Sequence, residues 1–223
     1  LVLLTTRLGI STLTDTSRFD LSLTLGGGEV RLLELTAAYG ALANGGYRVD
    51  PAYILEVKDR DGHVLYALEP SGQKQPVIDP RVAYLITDIL SDNDARIPSF
   101  GPASALNIGR TAAAKTGTTT DFRDNWTLGY TPNLVAGVWV GNADNSTMVE
   151  VSGISGAGPI WHEFMRRVLL GQPELDFPVP HGLVRAEVCA TSGLLPTDYC
   201  PRTRWEWFIK GSVPEDEDTF YQP

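Results

Sequence analysis

Ala113-Ala114-Lys115-Thr116-Gly117-Thr118-Thr119 reads as a β-strand. It places one ammonium, two hydroxyls and a bare glycine backbone along a common edge. Side chains alternate along a strand, so Thr116 and Thr118 share a face, and Lys115 and Gly117 take the other or lie at the turn of the pleat. The small residues Ala112, Ala113 and Ala114 allow close packing against a helix. Gly117 leaves the backbone unshielded, so an extended ligand can pair along it. A bare Lys-Thr-Gly also suits a plain strand end. What surrounds it gives it weight.

Downstream, Asp121-Phe122-Arg123-Asp124 reads as a turn, with Arg123 placed to pair with an aspartate. The spans 125–130 and 134–142 read as two further strands joined by Thr131-Pro132-Asn133. Val135, Val138, Trp139 and Val140 suit a strand buried on both faces. A glycine-rich loop over 153–158 ends at Pro159, and a helix follows over 160–170 with Trp161, Phe164, Val168 and Leu169 apolar. Trp126, Trp139 and Trp161 read as core anchors. Residues 173–180 have linker composition. The rest is short, loop-rich, and includes an acidic run, Glu215 to Asp218, read as a solvated turn.

Upstream, 8–25 is polar and rich in Thr and Ser. Gly26-Gly27-Gly28-Glu29 leads into a helix over 30–44, with Val30, Leu33, Ala37 and Ala41, and Leu35, Tyr39 and Leu42, at helical spacing. Glu29 suits the positive end of its dipole, and Asn44-Gly45-Gly46 ends it. The glycines fit neither the dinucleotide fingerprint nor a P-loop. The stretches 53–57 and 64–68 form a hairpin around Asp59-Arg60-Asp61-Gly62. Asp79-Pro80 opens a helix whose apolar face is Val82, Leu85, Ile86, Ile89 and Leu90. The span 92–107 reads as irregular.

With 223 residues, 43% of them hydrophobic, the chain can build a substantial core; its formal charge of −9 argues against nucleic acid as a partner. The longest apolar run, Leu134 to Val140, is strand-sized. No signal peptide is visible, and the abrupt opening Leu1-Val2-Leu3-Leu4 reads as a fragment whose N-terminal partner elements lie elsewhere. Cys189 and Cys200 read either as a small staple, worth about 3 kcal/mol in the chain-entropy view and implying an oxidising compartment, or as two reduced thiols. They cannot close a zinc site without nearby histidines. His63, His162 and His181 are scattered, and neither a metal nor a cofactor is expected.

Lys-Thr-Gly is one part of a serine acyl-transfer constellation whose other parts are Ser-x-x-Lys and Ser-x-Asn. The whole stretch from Lys115 to Pro132 closely resembles the transpeptidase domain of class A penicillin-binding proteins. Gly137 to Asn142, Ala157 to Trp161 and Leu25 to Val30 are similar to the same family. Ser91 to Arg96 and the tail from Val188 to Pro201 look most like its 1C branch. The resemblance implies an α/β (α+β) fold, an antiparallel sheet packed by helices, like that of serine β-lactamases. Three sheet strands are expected here, and the fold is incomplete at its N-terminus. Residues 1–172 would be the C-terminal portion of the transpeptidase domain and 173–223 a small stapled tail.

The same resemblance implies roles. Lys115 supplies positive potential to the serine cluster and to a substrate carboxylate. Thr116 and Thr118 hydroxyls bind that carboxylate beside Gly117, and the Thr118 N–H forms half of an oxyanion hole. The partners are peptidoglycan stem peptides and β-lactams. Two literal matches are decoys: Ser71-Gly72-Gln73-Lys74 sits in a glycine- and proline-bounded loop, and Ser91-Asp92-Asn93 follows a helix end. The nucleophilic serine is therefore expected upstream of Leu1, with a glycosyltransferase domain and a membrane anchor, in a protein working outside the cytoplasm. The chain alone would be inactive. The rival readings are a D,D-carboxypeptidase or β-lactamase-like enzyme, and a non-catalytic binding fragment. Asp121 and Asp124 read as turn formers, not a catalytic pair.

Overall fold

The computed structural model describes residues 1–69 and 74–221. The decoy Ser71-Gly72-Gln73 lies outside the described residues. Contacts divide the chain into two units, Leu1–Phe177 and Pro178–Pro223.

The centre of the first unit is a three-stranded antiparallel sheet of β5 (Ala113–Thr118), β6 (Asp124–Thr131) and β7 (Leu134–Gly141) in that order. Before it come α1 (Val2–Arg7), α2 (Leu32–Ala43), β1 (Tyr47–Arg48), β2 (Glu56–Lys58), β3 (Val64–Ala67), β4 (Gln75–Pro76), α3 (Pro80–Ser91) and α4 (Asn93–Phe100). After it comes α5 (Ala157–Val168). Strands β1 and β4 pair, as do β2 and β3.

Helices cover both faces of the sheet, and two glycines let them approach. A Cβ at Gly129 would lie 2.3 Å from the Trp161 ring of α5 and 2.7 Å from Ala113 O. On the opposite face, a Cβ at Gly137 would lie 2.2 Å from Thr36 Oγ1 of α2. Under α5 the core joins Ala114, Ala136, Trp161, Met165 and Leu169, and Trp161 Nε1 donates to Ala136 O at 3.2 Å. On the α2 and α3 face, Tyr130 is fully buried, meets Tyr39 edge-on and shares a 2.8 Å hydrogen bond with Thr87. Burial pushes the Tyr130 phenol up to about 12.

Local rules explain most element ends. Asp79 accepts from Arg81 N at 2.9 Å and Pro80 fills the first helical position of α3. The side-chain bond from Arg81, then its amide, holds the Asp79 carboxyl down at about 2.

Several expectations are corrected. Residues 93–100 are helical, not irregular: Asp92 caps α4 by accepting from Ala95 N, and the helix forms although Pro98 lies inside it and supplies no N–H to the turn before. The β2–β3 hairpin is shorter than expected; Tyr53, Ile54 and Leu55 precede β2 and are exposed. Helix α5 starts at Ala157, since Pro159 falls in the first turn, where amides have no intrahelical partner. Its buried stripe is Ala157, Trp161 and Met165, while Phe164 and Val168 are exposed. Among the described residues β7 is the last strand of the sheet, and it is not buried on both faces: Trp139 is 38% exposed, so it is no core anchor. Glu34, not Glu29, occupies the first turn of α2.

In the second unit, β8 (Leu183–Cys189) and β9 (Thr203–Ile209) form an antiparallel hairpin, where loops were expected. Cys189 and Cys200 are bonded to each other, their Cα atoms 5.9 Å apart. The acidic run is only partly solvated: Asp218 is 4% exposed and accepts from Tyr221 N at 3.0 Å.

Two stability outcomes follow. Gly129→Ala overpacks Trp161 and should cost about 2 kcal/mol in urea unfolding; unchanged stability would show that the contact is soft. Replacing both cysteines by alanine should destabilise the β8–β9 unit by about 3 kcal/mol, read as loss of hydrogen-exchange protection there and not in β5–β7.

Candidate active-site strand

Strand β5 is paired on one side only. Lys115 faces Leu128, Thr116 faces Thr127, Gly117 faces Trp126 and Thr118 faces Asn125. The other edge has no strand partner among the described residues. The hydrogen-bonding phase follows from the strand end, where Thr119 N donates to Asp124 O at 3.0 Å. Antiparallel ladders alternate. The pairs at 117–126 and 115–128 are therefore bonded to β6, and the amides and carbonyls of Thr116 and Thr118 face the open edge. Consistent with this phase, Lys115 Nζ donates to Thr116 O at 2.6 Å.

Lys115 and Thr118 are exposed, and Thr116 and Gly117 are half-buried. Among the described residues no carboxylate lies in ion-pair contact with Lys115. Pairing register puts Thr116 and Thr118 on the α5 face with Asn125 and Thr127, and Lys115 on the α2 face with Leu128 and Gly137. Room at Gly117 is ordinary: a Cβ there would meet Trp126 Cβ at 3.5 Å.

Behind the strand, the Val151–Gly156 loop is fastened to the sheet by polar side chains. Asn125 Nδ2 donates to Val151 O at 2.7 Å, Thr127 Oγ1 donates to Gly153 O at 3.1 Å, and Gly153 N donates to Thr118 Oγ1 at 2.9 Å. A Cβ on Gly153 would sit 2.5 Å from Gly117 O, so the loop backbone presses directly on the strand. These attachments were not foreseen. Their one sequence signal is small residues clustered at 152–158, which permit backbone-to-backbone approach.

The turn after β5 is closed by a reciprocal lock. Thr119 Oγ1 donates to Asp124 Oδ2 at 3.0 Å and accepts from Asp124 N at 2.8 Å, while Trp139 Nε1 donates to Asp124 Oδ1 at 2.8 Å. Within it Asp121 and Phe122 adopt positive φ, 60° and 53°, which costs a bulky residue about 1–2 kcal/mol. Arg123 pairs with Asp121 at 3.8 Å and donates to Asn145 O at 2.9 Å.

Ser91-Asp92-Asn93 is spent on structure. Ser91 ends α3 and donates to Asp88 O at 3.1 Å; Asn93 Oδ1 accepts from Arg96 at 2.5 Å. Arg96 also donates to Leu90 O and, at 3.4 Å, to Ala114 O, tying α4 to β5. Burial lowers the Arg96 pKa, with Asp92 opposing. His162 bonds Ala105 O at 2.9 Å.

An antiparallel sheet clothed by helices on both faces, with Lys-Thr-Gly on an open edge, is the arrangement of the penicillin-recognising serine acyl-transfer class. The penicillin binding protein transpeptidase domain family matches residues 13–166, and the C-terminal domain of penicillin-binding protein 1A matches 179–223. The chain belongs to the class A penicillin-binding protein family, as part of its transpeptidase region. It is 36% identical over 198 residues to penicillin-binding protein 2D of Bacillus subtilis, covering 86% of this chain and 28% of the relative. Among solved structures it resembles penicillin-binding protein 1A from Haemophilus influenzae, with a TM-score of 0.78 and 25% identity over 96% of this chain and 36% of that one. The PonA1 protein of Mycobacterium tuberculosis in complex with penicillin V matches with a TM-score of 0.67 and 26% identity over 78% and 50%. The chain thus spans about a quarter of the first curated relative's length. These matches carry the family but not the 1C branch.

Asp124→Ala removes the lock on a strained turn and should cost about 2 kcal/mol in thermal unfolding; a neutral result would mean that the β5–β6 pairing alone holds it.

Proposed function

We propose that this chain is the part of a peptidoglycan D,D-transpeptidase that grips the free carboxylate of the stem peptide. The observation that carries the reading is Lys115: an exposed ammonium without a carboxylate partner among the described residues, on a strand whose outer edge offers amides and carbonyls. An extended peptide ending in D-alanyl-D-alanine pairs along that edge as an added strand. Lys115 and the hydroxyls of Thr116 and Thr118 bind its terminal carboxylate, and the Thr118 N–H, facing outward by the ladder phase, donates to the developing oxyanion. Losing one such donor costs on the order of 3 kcal/mol.

The nucleophile comes from outside these 223 residues. Among the described residues no Ser-x-x-Lys opens a helix, where serine and lysine would share one face. That serine attacks the penultimate D-alanine carbonyl, the amide C–N bond breaks, and D-alanine leaves carrying the proton. An amine of a neighbouring stem peptide then takes the acyl group. β-Lactams acylate the same serine, a reading supported by the structural likeness to a penicillin V complex. With water as acceptor the reaction is that of a D,D-carboxypeptidase or β-lactamase. Product analysis with and without an added amine separates the two.

The chain works outside the cytoplasm, in keeping with the bonded cysteines. Among the described residues no helix is long and apolar enough to cross a membrane; a membrane anchor and a glycosyltransferase domain belong to an upstream segment. The tail is a separate module that begins at Pro178, not at residue 173, since Phe177 packs against Tyr130 of the first unit.

In the full-length protein, Lys115→Ala should lower the rate of acylation by a fluorescent penicillin at least a hundredfold, and the isolated chain should gain no mass from penicillin. Unchanged labelling of the variant, or acylation on this chain, would refute the reading.

A further inference from the structure

We propose that the Val151–Gly156 loop is a positioning device that holds the Thr118 hydroxyl in the donor state for an anionic ligand. The inference rests on the function proposed above and adds to it a named set of residues that touch no ligand.

A threonine hydroxyl has one proton and two lone pairs, and is free to rotate. At Thr118 that freedom is reduced. Gly153 N donates to Oγ1 at 2.9 Å, which occupies one lone pair and fixes the rotamer. No acceptor for the Thr118 proton lies among the described side-chain and backbone partners. The hydroxyl is thus arranged to give its proton, and a carboxylate accepts one strongly. The Gly153 N–H is polarised in turn, because the carbonyl of the same peptide, Ser152 O, accepts from Gly156 N at 2.7 Å and from Ser155 N at 3.0 Å. The next carbonyl, Gly153 O, is held by Thr127 Oγ1 at 3.1 Å and Gly158 N at 2.8 Å, which fixes where that peptide lies. Chained hydrogen bonds reinforce one another in a poorly solvated site.

The support beneath is rigid and buried. Asn125 and Thr127 are both 0% exposed, and Asn125 holds Val151 O at 2.7 Å. Gly153 cannot carry a side chain without striking Gly117 O and Trp126 O, at 2.5 and 2.8 Å. Ser155 Oγ accepts from Ser152 N at 2.9 Å, closing the loop on itself. A chain of hydrogen bonds therefore runs from Gly156, at the start of α5, through the Ser152–Gly153 peptide to Thr118 on β5. Thr127 holds the adjoining Gly153 carbonyl and so acts only by fixing the loop, as a positioning residue.

The test compares acylation of the full-length protein by penicillin and by its methyl ester, which lacks the anionic carboxylate. The acid-to-ester rate ratio is independent of the fraction folded. Thr127→Val keeps the shape and removes the bond to Gly153 O. It should lower the ratio by up to about tenfold, the worth of the Thr118 bond to a charged carboxylate that the loop holds in place. Thr127→Ser, which restores the hydroxyl, should recover it, and Thr118→Val should lower it at least as much. Ser155→Ala, in the exposed loop, should lower it about threefold and carries the test if Thr127→Val does not fold. A fall confined to Thr118→Val, with ratios unchanged in Thr127→Val and Ser155→Ala, would overturn the positioning role while leaving the proposed function intact. Equal losses for acid and ester in Thr127→Val would reduce Thr127 to ordinary packing and also overturn it. A Thr118→Val ratio equal to wild type would refute the carboxylate site itself.

Discussion

A slip of one residue between β5 and β6 would turn Lys115 under α5 and send Thr116 and Thr118 to the α2 side, because side chains alternate with period two. The register Lys115 to Leu128 is therefore the constraint on which everything else rests. It is pinned at both ends. At one end Ala113 and Ala114 are sealed beneath the helices; at the other Thr119 and Asp124 bond each other reciprocally. The same phase decides which backbone groups reach the open edge, so a turn contact at residue 124 determines which way the amide and carbonyl of residue 118 face.

The two faces of the sheet are built with different chemistry. The α2 and α3 side closes with aromatic and apolar groups around Tyr130, while the α5 side begins apolar at Trp161 and turns polar toward Thr118. Asn125 and Thr127 are buried there without charge, and their hydrogen bonds go to loop backbone. In this layer Asn125 Oδ1 has no hydrogen-bond partner among the described residues. An unsatisfied buried oxygen costs about 1–3 kcal/mol, so this polar layer contributes placement more than stability. Loop geometry behind a strand is hard to fix by apolar packing alone, since apolar contacts are non-directional; directed bonds to Val151 and Gly153 fix it.

Family membership and local chemistry bear on different questions. The matched regions, 13–166 and 179–223, follow the two compact units of the chain and establish what kind of protein this is. They do not say which group acts. The proposal for that rests on the charge at Lys115, the open β5 edge and the support beneath Thr118.

Much was legible in the residues themselves. Strands β5 to β7 and helices α2 and α3 follow from alternation, helical spacing, Asp79-Pro80 capping and Asn44-Gly45-Gly46, all of them local rules acting within a few residues. The Lys-Thr-Gly edge was legible for the same reason. Helix α4 was not, because Pro98 masks a helix that Asp92 nucleates; nor was the exposure of Trp139, since an aromatic on a border strand has the same composition as one inside. The β8–β9 hairpin, where loops were expected, did carry a local signal: Arg185 and Glu187 alternate with Val184, Ala186 and Val188, and Arg204 and Glu206 with Trp205 and Trp207, the period of half-buried strands. Sequence alone determined the segments and the chemistry they carry. Tertiary structure alone decided that Gly153, 35 residues from Thr118, lies against it, because such contacts depend on how the chain closes over long separations and leave no periodic trace.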